Sequence, residues 1–312
     1  MLPGGESMEL ISFEDYLKKN LKDNLTVSIG DFDGVHKAHQ ILIKRIKELS
    51  LINHTLSAII TFDPHPIQIL SGKDINLLST IEEKKEIISQ FDIDYLIVIN
   101  FNKEFSSISK LDFINNYLLK LNVSYCVEGV DFRFGYLGSG KPEEIEPLSN
   151  NKIKCEIMDI VSIDNNKISS SIIRSYLESG NIRKANELLN YPYSFKGIVG
   201  VGNRIGRTLN FPTANLTPYK DVKLKEGVYA AYVYFDGNKY KGMLNFGHNP
   251  SFNFHDNLII EIHILNYNGN LYEHELRVEI IDFIRDEIKF NSKDDFINQL
   301  NNDKAKIENL LM

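Results

Sequence analysis

Two regimes of hydrophobic patterning divide this 312-residue chain, and they demand different sheets. Up to about residue 190, apolar β-rich runs at 25–29, 56–62, 95–100, 124–128 and 153–161 alternate with helically spaced segments at 40–50, 81–91 and 111–121. Such alternation implies a parallel sheet with right-handed crossovers, since parallel neighbours need a long connection that returns across one face. Beyond Tyr191-Pro192-Tyr193 the runs become short strands separated by turn signals, among them Asp236-Gly237-Asn238 and Asn268-Gly269. The chain then ends in an amphipathic stretch from Lys293 to Leu310. This second regime reads as a small antiparallel β-barrel with a C-terminal helix. The expected domains are residues 1–190 and 191–312, each near the usual size of about 150 residues.

The most specific chemistry lies at the first strand-to-helix turn, Gly30-Asp31-Phe32-Asp33-Gly34-Val35-His36-Lys37-Ala38-His39. Glycines there permit close backbone approach, and the following helix offers its N-terminal amides to an anion. His36 and His39 can donate hydrogen bonds to a phosphate whose charge grows during transfer. Gly30, Phe32, Asp33 and Gly34 are therefore read as nucleotide-binding and the two histidines as catalytic, in a nucleotidyl-transfer site. Thr61-Phe62-Asp63-Pro64-His65-Pro66 follows another strand, at the carboxyl edge where open α/β sheets collect ligands, which makes Pro64 and His65 candidates. The segment 129–135 sets Asp131, Phe132, Arg133 and Phe134 between glycines, a composition suited to stacking on a planar ring. Ile168-Ser169-Ser170-Ser171-Ile172-Ile173-Arg174 opens a helix with hydroxyls, so Ser170 and Ser171 can bind phosphate while Arg174 neutralises pyrophosphate.

In the second regime, Gly200, Gly202 and Gly206-Arg207 lead into Thr208-Leu209-Asn210-Phe211-Pro212-Thr213-Ala214-Asn215-Leu216. An arginine and backbone amides are what an ATP polyphosphate requires. Thr213 and Asn215 lie two apart on an extended segment, so their oxygens can face the same way and reach one Mg²⁺. Downstream, Glu261 in Ile259-Ile260-Glu261-Ile262-His263-Ile264 points opposite to its apolar neighbours.

Composition sets limits. A net charge of −7 without a clustered basic face argues against a nucleic-acid partner. No apolar run approaches the ~20 residues of a membrane span, so the expectation is a soluble, cytoplasmic protein acting on small molecules. Cys126 and Cys155 are expected to be small buried thiols, not metal ligands or a disulfide. Nothing in the sequence fixes an oligomeric state.

The first run resembles the HxGH signature of the nucleotidylyltransferase superfamily, and more closely the GxFDGVHxGH form of bacterial FAD synthetases, with Ala38 at a family glycine. The later segments match TFxPHP, GxDFxFG and ISSTxIR of that family, with Ser171 for threonine. The second regime resembles the flavokinase motif GRxLGFPTANL, with Asn210 for glycine. Glu261-Ile262-His263-Ile264-Leu265-Asn266 is similar to the flavokinase strand that carries the general base, and 247–252 and 285–290 extend the match. From about Asn24 to Asp303, the chain resembles the bacterial riboflavin kinase/FMN adenylyltransferase family.

That resemblance implies an α/β nucleotidylyltransferase-type domain followed by a flavokinase-like barrel. It implies two steps: transfer of the γ-phosphate of ATP to riboflavin, then adenylyl transfer from ATP to FMN, giving FAD and pyrophosphate. It puts His36 and His39 on the nucleotide phosphates and Ser170, Ser171 and Arg174 at the triphosphate end. Pro64, His65, Asp131, Phe132, Arg133, Phe134 and Arg285 fall to the flavins, Glu261 becomes the kinase base, and Mg²⁺ assists both steps. The changes at Ala38 and Asn210 leave open a chain with one working half. A flavin- or nucleotide-binding protein without turnover is the other alternative.

Overall fold

The computed structural model describes residues 8–159, 161–163, 166–200, 211–248, 258–267 and 269–311. Its contacts divide the chain into two compact units, one of residues 1–75 and 79–169, the other of residues 76–78 and 170–312.

The first unit opens with β1 (Glu9–Ser12), α1 (Phe13–Lys18), β2 (Leu25–Ile29), α2 (Lys37–Asn53) and β3 (Leu56–Asp63). It continues through α3 (Pro66–Ser71), α4 (Ile81–Ile88), β4 (Tyr95–Asn100), α5 (Lys103–Ser106) and α6 (Lys110–Phe113). After β5 (Val123–Gly129), α7 (Ile145–Leu148) and β6 (Lys154–Met158), it closes with a short antiparallel pair, β7 (Ser162–Ile163) and β8 (Asn166–Lys167). The six main strands are all parallel, in the order β1-β4-β3-β2-β5-β6.

Apolar residues alternate between the two faces. Ala58, Ile60 and Ile97 join one core with Val27, Phe113 and Leu118, while Ile59 and Leu96 join another with Ile43, Ile46 and Ile88. β2 is buried along its whole length, as a central parallel strand must be. The chain runs from β2 toward β3 and β4 on one side, and only later adds β5 on the other, so the strand order reverses at β2. Open sheets bind ligands in the crevice beyond such a switch point.

Two details depart from the periodicity. The helical spacing at 111–121 is realised as α6 followed by a wider π-helical turn, Ile114–Leu118. β1 and α1, too short for a periodic signal, add an edge strand. Cys126 and Cys155 face each other on β5 and β6 as free thiols, the first fully buried.

The second unit begins with a helical pair, α8 (Ser170–Glu178) and α9 (Ile182–Leu189). Then come β9 (Ser194–Gly200), β10 (Ala214–Pro218), β11 (Gly227–Phe235), β12 (Asn238–His248), β13 (Leu258–Ile264), β14 (Glu275–Arg285) and α10 (Lys293–Leu310). The strands close into a barrel in the order β10-β13-β12-β11-β14-β9, so its first and last strands pair directly. Gly197 is required where β9 meets β10, because a Cβ there would lie 2.4 Å from the Thr217 carbonyl oxygen. Asn186 of α9 donates to the Ile280 carbonyl and accepts from the Tyr193 amide, which ties the helical pair to the barrel wall. The helices thus belong to the barrel's compact unit, although the strand pattern begins only at Ser194. α10 buries Leu300 and Ile307 against Val228, Met243 and Ile284. No helix among the described residues is long and apolar enough to cross a membrane.

Candidate functional site

In the first unit, the Gly30–His39 run leaves the carboxyl end of β2 and enters α2. Its backbone turns sharply, with positive φ at Phe32 (46°), Gly34 (75°) and Val35 (35°). Phe32 and Val35 accept that conformation because their side chains are buried in the core. His36 is the N-cap of α2 and makes no side-chain cap bond, so the first-turn amides of this 17-residue helix stay open to an anion. The rings of His36 and His39 stack, with centroids 3.6 Å apart, and Phe32 backs His39 at 4.8 Å. Neither ring's Nδ1 has a hydrogen-bond partner among the described residues. Burial holds His36 down to about pKa 4, while burial, and then the electrostatic cost of a second positive ring beside His36 and Lys84, hold His39 well below the ordinary imidazole value. Both rings are therefore uncharged at neutral pH and have a ring nitrogen to spare.

The TFxPHP turn reaches the same loop. His65 caps α3 by accepting the Ile67 amide on Nδ1, which leaves the proton on Nε2, 3.6 Å from Asp31. Thr61 donates to the Asp31 carbonyl. The 129–135 segment is mixed. Phe132 stacks on Phe134, but Phe134 is buried in the core against Phe113. Arg133 folds back onto the carbonyls of Val130 and Phe132, and Asp131 pairs with Lys167.

Three residues of this site gave no sequence signal. Ser79, just before α4, donates its amide to Asp33 at 3.1 Å and accepts the Gly34 amide at 2.9 Å, which pins the loop to the start of α4. Glu128, at the end of β5, accepts the Ile29 amide at 2.9 Å beside the switch point, and full burial pushes its carboxyl well above the usual range. Lys84, on α4, is buried and within electrostatic reach of Asp33 and Asp31 of the same loop.

In the second unit, Ser170 and exposed Ser171 open α8, and the Arg174 Nε donates to the Asn76 carbonyl at 2.6 Å. Around the barrel, strand register aligns Gly200 with Asn215, Asn215 with Glu261, and Glu261 with Asn245. Directly opposed residues share a face, so three polar side chains form one band across β10, β13 and β12. Burial raises the Glu261 carboxyl above its ordinary range. On the same face two residues along, the His263 Nδ1 donates to the Pro212 carbonyl at 2.9 Å and holds the Phe211–Asn215 segment beside Glu261. Sequence reasoning missed that role. The Arg285 Nε donates to buried Asp303 at 2.8 Å and its Nη1 to the Asp286 carbonyl. Gly202, Gly206 and Arg207, and most of the 247–252 loop, lie outside the described residues.

Among the described residues no cluster of three or more His, Cys, Asp or Glu side chains can hold a metal ion. Thr213 and Asn215 nonetheless offer hard oxygen donors that no described residue occupies, beside the Glu261 carboxylate. Such a set suits Mg²⁺, which keeps waters and takes most of its remaining ligands from substrate phosphates.

Comparison with known proteins follows the same division. Residues 18–172 match the model of the FAD synthetase family and residues 189–311 that of riboflavin kinase. The chain is 36% identical over 284 residues to a bifunctional riboflavin kinase/FMN adenylyltransferase of Listeria monocytogenes, covering 90% of each. Proteins of the same name from Buchnera aphidicola of Schizaphis graminum and from Bacillus subtilis are 38% and 34% identical, covering 95% of this chain. They are covered over 96% and 95% of their own lengths. A crystal structure described as a macrolide-efflux protein from Streptococcus pneumoniae has a similar fold, with TM-score 0.85 and 27% identity, covering 93% of this chain and 95% of that one.

Proposed function

The chain belongs to the bifunctional riboflavin kinase/FMN adenylyltransferase family, and from that premise we propose how its residues divide the synthesis of FAD. It is an enzyme that moves the γ-phosphate of ATP to the ribityl hydroxyl of riboflavin, giving FMN, and then adenylylates FMN from ATP, giving FAD and pyrophosphate. We assign the first step to residues 191–312 and the second to residues 1–190.

In the kinase step, Glu261 accepts the proton of the ribityl hydroxyl as it attacks the γ-phosphate. A primary hydroxyl is a poor nucleophile at neutral pH, and a carboxylate whose affinity for protons is raised by burial suits that task. Gly200, Gly202, Gly206 and Arg207 take the polyphosphate, and Arg285, fixed by Asp303, faces the flavin. Mg²⁺ held by Thr213 and Asn215 supplies neutralisation of phosphate charge when bound.

In the adenylyl step, an FMN phosphate oxygen attacks the α-phosphate of ATP. That nucleophile is already ionised, so no base is needed. Catalysis comes from alignment and from donors aimed at the growing charge. The observation that carries this reading is the stacked, uncharged His36–His39 pair on the uncapped N-terminus of α2. Gly30, Phe32, Asp33 and Gly34 cradle the nucleotide, and the Ser170 and Ser171 hydroxyls and the Arg174 guanidinium are donors for phosphate. Pro64, His65, Asp131, Phe132 and Arg133 serve the flavin side, with Phe134 supporting Phe132 from the core. The substrates are small molecules in the cytoplasm, not nucleic acids.

Separating the flavins formed from riboflavin, ATP and Mg²⁺ over time tests the division. The wild-type chain should make FMN first and convert it to FAD, and His39→Ala should stop at FMN. Loss of both products in that variant would refute the separate assignment of the two steps.

A further inference from the structure

Lys84 is a charged side chain at the adenylyl site that no part of the preceding mechanism uses. It sits one turn into α4, whose start is capped by Thr80 and Glu83 and joined to the 30–34 loop by the two Ser79 hydrogen bonds. Only 3% of Lys84 is exposed. The charged and titratable groups facing its ammonium are Asp33 and Asp31 of the loop, Asp63 at the end of β3, and the His39 ring of α2. Among the described residues none of these pairs with it directly, and it makes no side-chain hydrogen bond. A buried cation without a direct partner is costly, and its pKa is pulled down by burial against the raising effect of the three aspartates. Lysine covers apolar surface with its stem in many cores, but its head then reaches water. Here the carboxylates whose charges reach the ammonium, Asp31, Asp33 and Asp63, follow β2 and end β3 at the carboxyl edge of the sheet.

The charges of the site make the arrangement intelligible. With both histidines neutral, Asp31, Asp33 and Asp63 would repel a nucleotide polyphosphate, and Lys84 is a buried cation on which all three act. We propose that Lys84 is a further catalytic residue of FMN adenylylation, its ammonium binding phosphate oxygens of ATP. As the FMN oxygen bonds to the α-phosphorus, the bond from that phosphorus to pyrophosphate breaks and its electron pair leaves with pyrophosphate. Lys84 meets that growing negative charge with a fixed positive one and gives up no proton. The inference rests on the adenylyl-transfer reading of this site.

The test is Lys84→Met in the full-length chain, with kcat/KM for ATP measured in FAD formation from supplied FMN. A lost charge-assisted hydrogen bond should lower it about 10- to 150-fold. The riboflavin kinase rate should stay within about twofold, and the melting temperature should hold or rise, since methionine replaces an unpaired buried charge with an apolar chain of similar length. A loss under about threefold overturns the proposal. So does a variant that melts earlier or fails to fold, because Lys84 would then be a structural counter-ion of the aspartates. Absence of FAD from the wild-type reaction would instead refute the adenylylation reading itself.

Discussion

Mild acid should weaken the first unit through His36. Its ring is 5% exposed and held at about pKa 4, against an unfolded value of about 6.5. The folded state therefore binds fewer protons than the unfolded one, so the penalty vanishes well above pH 6.5 and grows as pH falls toward 4. At pH 5.0 an unfolded ring is about 97% charged and the folded one about 9%, which amounts to about 2 kcal/mol, against about 0.2 kcal/mol at pH 7.0. In His36→Asn that part of the loss disappears, while His39 and the carboxylates titrate in both proteins and largely cancel. The chain has no tryptophan, so a probe specific to this unit is needed. Urea-dependent hydrogen exchange read on peptides covering β2 and β3 provides it. With a slope of about 2 kcal/mol per molar urea, the wild type should lose about 1 M more of its midpoint between pH 7.0 and 5.0 than the variant. Equal losses in the two proteins, or a His36 imidazole resonance titrating near 6.5, would refute the reasoning.

The second unit gives two further expectations. Glu261→Gln should lower kinase turnover by the ~10²- to 10⁴-fold typical of a lost general base and leave adenylylation of supplied FMN intact; an unchanged kinase rate removes Glu261 from the mechanism. Asp303→Ala removes the carboxylate that fixes Arg285, and truncating one partner of a buried pair costs about 3–5 kcal/mol, so this unit should melt well below wild type with a raised KM for riboflavin. A wild-type melting temperature and KM would show that the pair positions nothing.

What could be read from the sequence was whatever is encoded locally. The β2 run, the glycines after it and the histidine spacing all sit within about fifteen consecutive residues, and the parallel sheet follows from the period of the runs alone. The turn signals and short strands likewise foretold the barrel, and Glu261's orientation follows from strand alternation. Lys84 was illegible for the opposite reason. Ile81-Glu82-Glu83-Lys84-Lys85-Glu86 looks like a solvated, charge-paired helix face, and only tertiary placement buries Lys84 while Glu82 and Glu86 stay exposed. Glu128 interrupts an apolar run as a surface residue might, yet it substitutes for a strand partner of Ile29. His263 lies 51 residues from the Pro212 carbonyl it holds, a distance no local pattern spans.

The closure of the barrel between β9 and β14 bears on how the protein is made. A nascent chain has the six parallel strands of its first unit once Met158 has emerged, so that sheet can form early. The second unit must wait. β9 has no β14 to pair with until Glu275–Arg285 appears, about 4–17 s later at about 5–20 residues per second. For that interval the growing barrel is an open sheet with free edges, the form most prone to pair with other chains. Premature termination anywhere between 200 and 275 would make the condition permanent. A ribosome stalled there would release a first unit able to fold, tethered to an aggregation-prone second one.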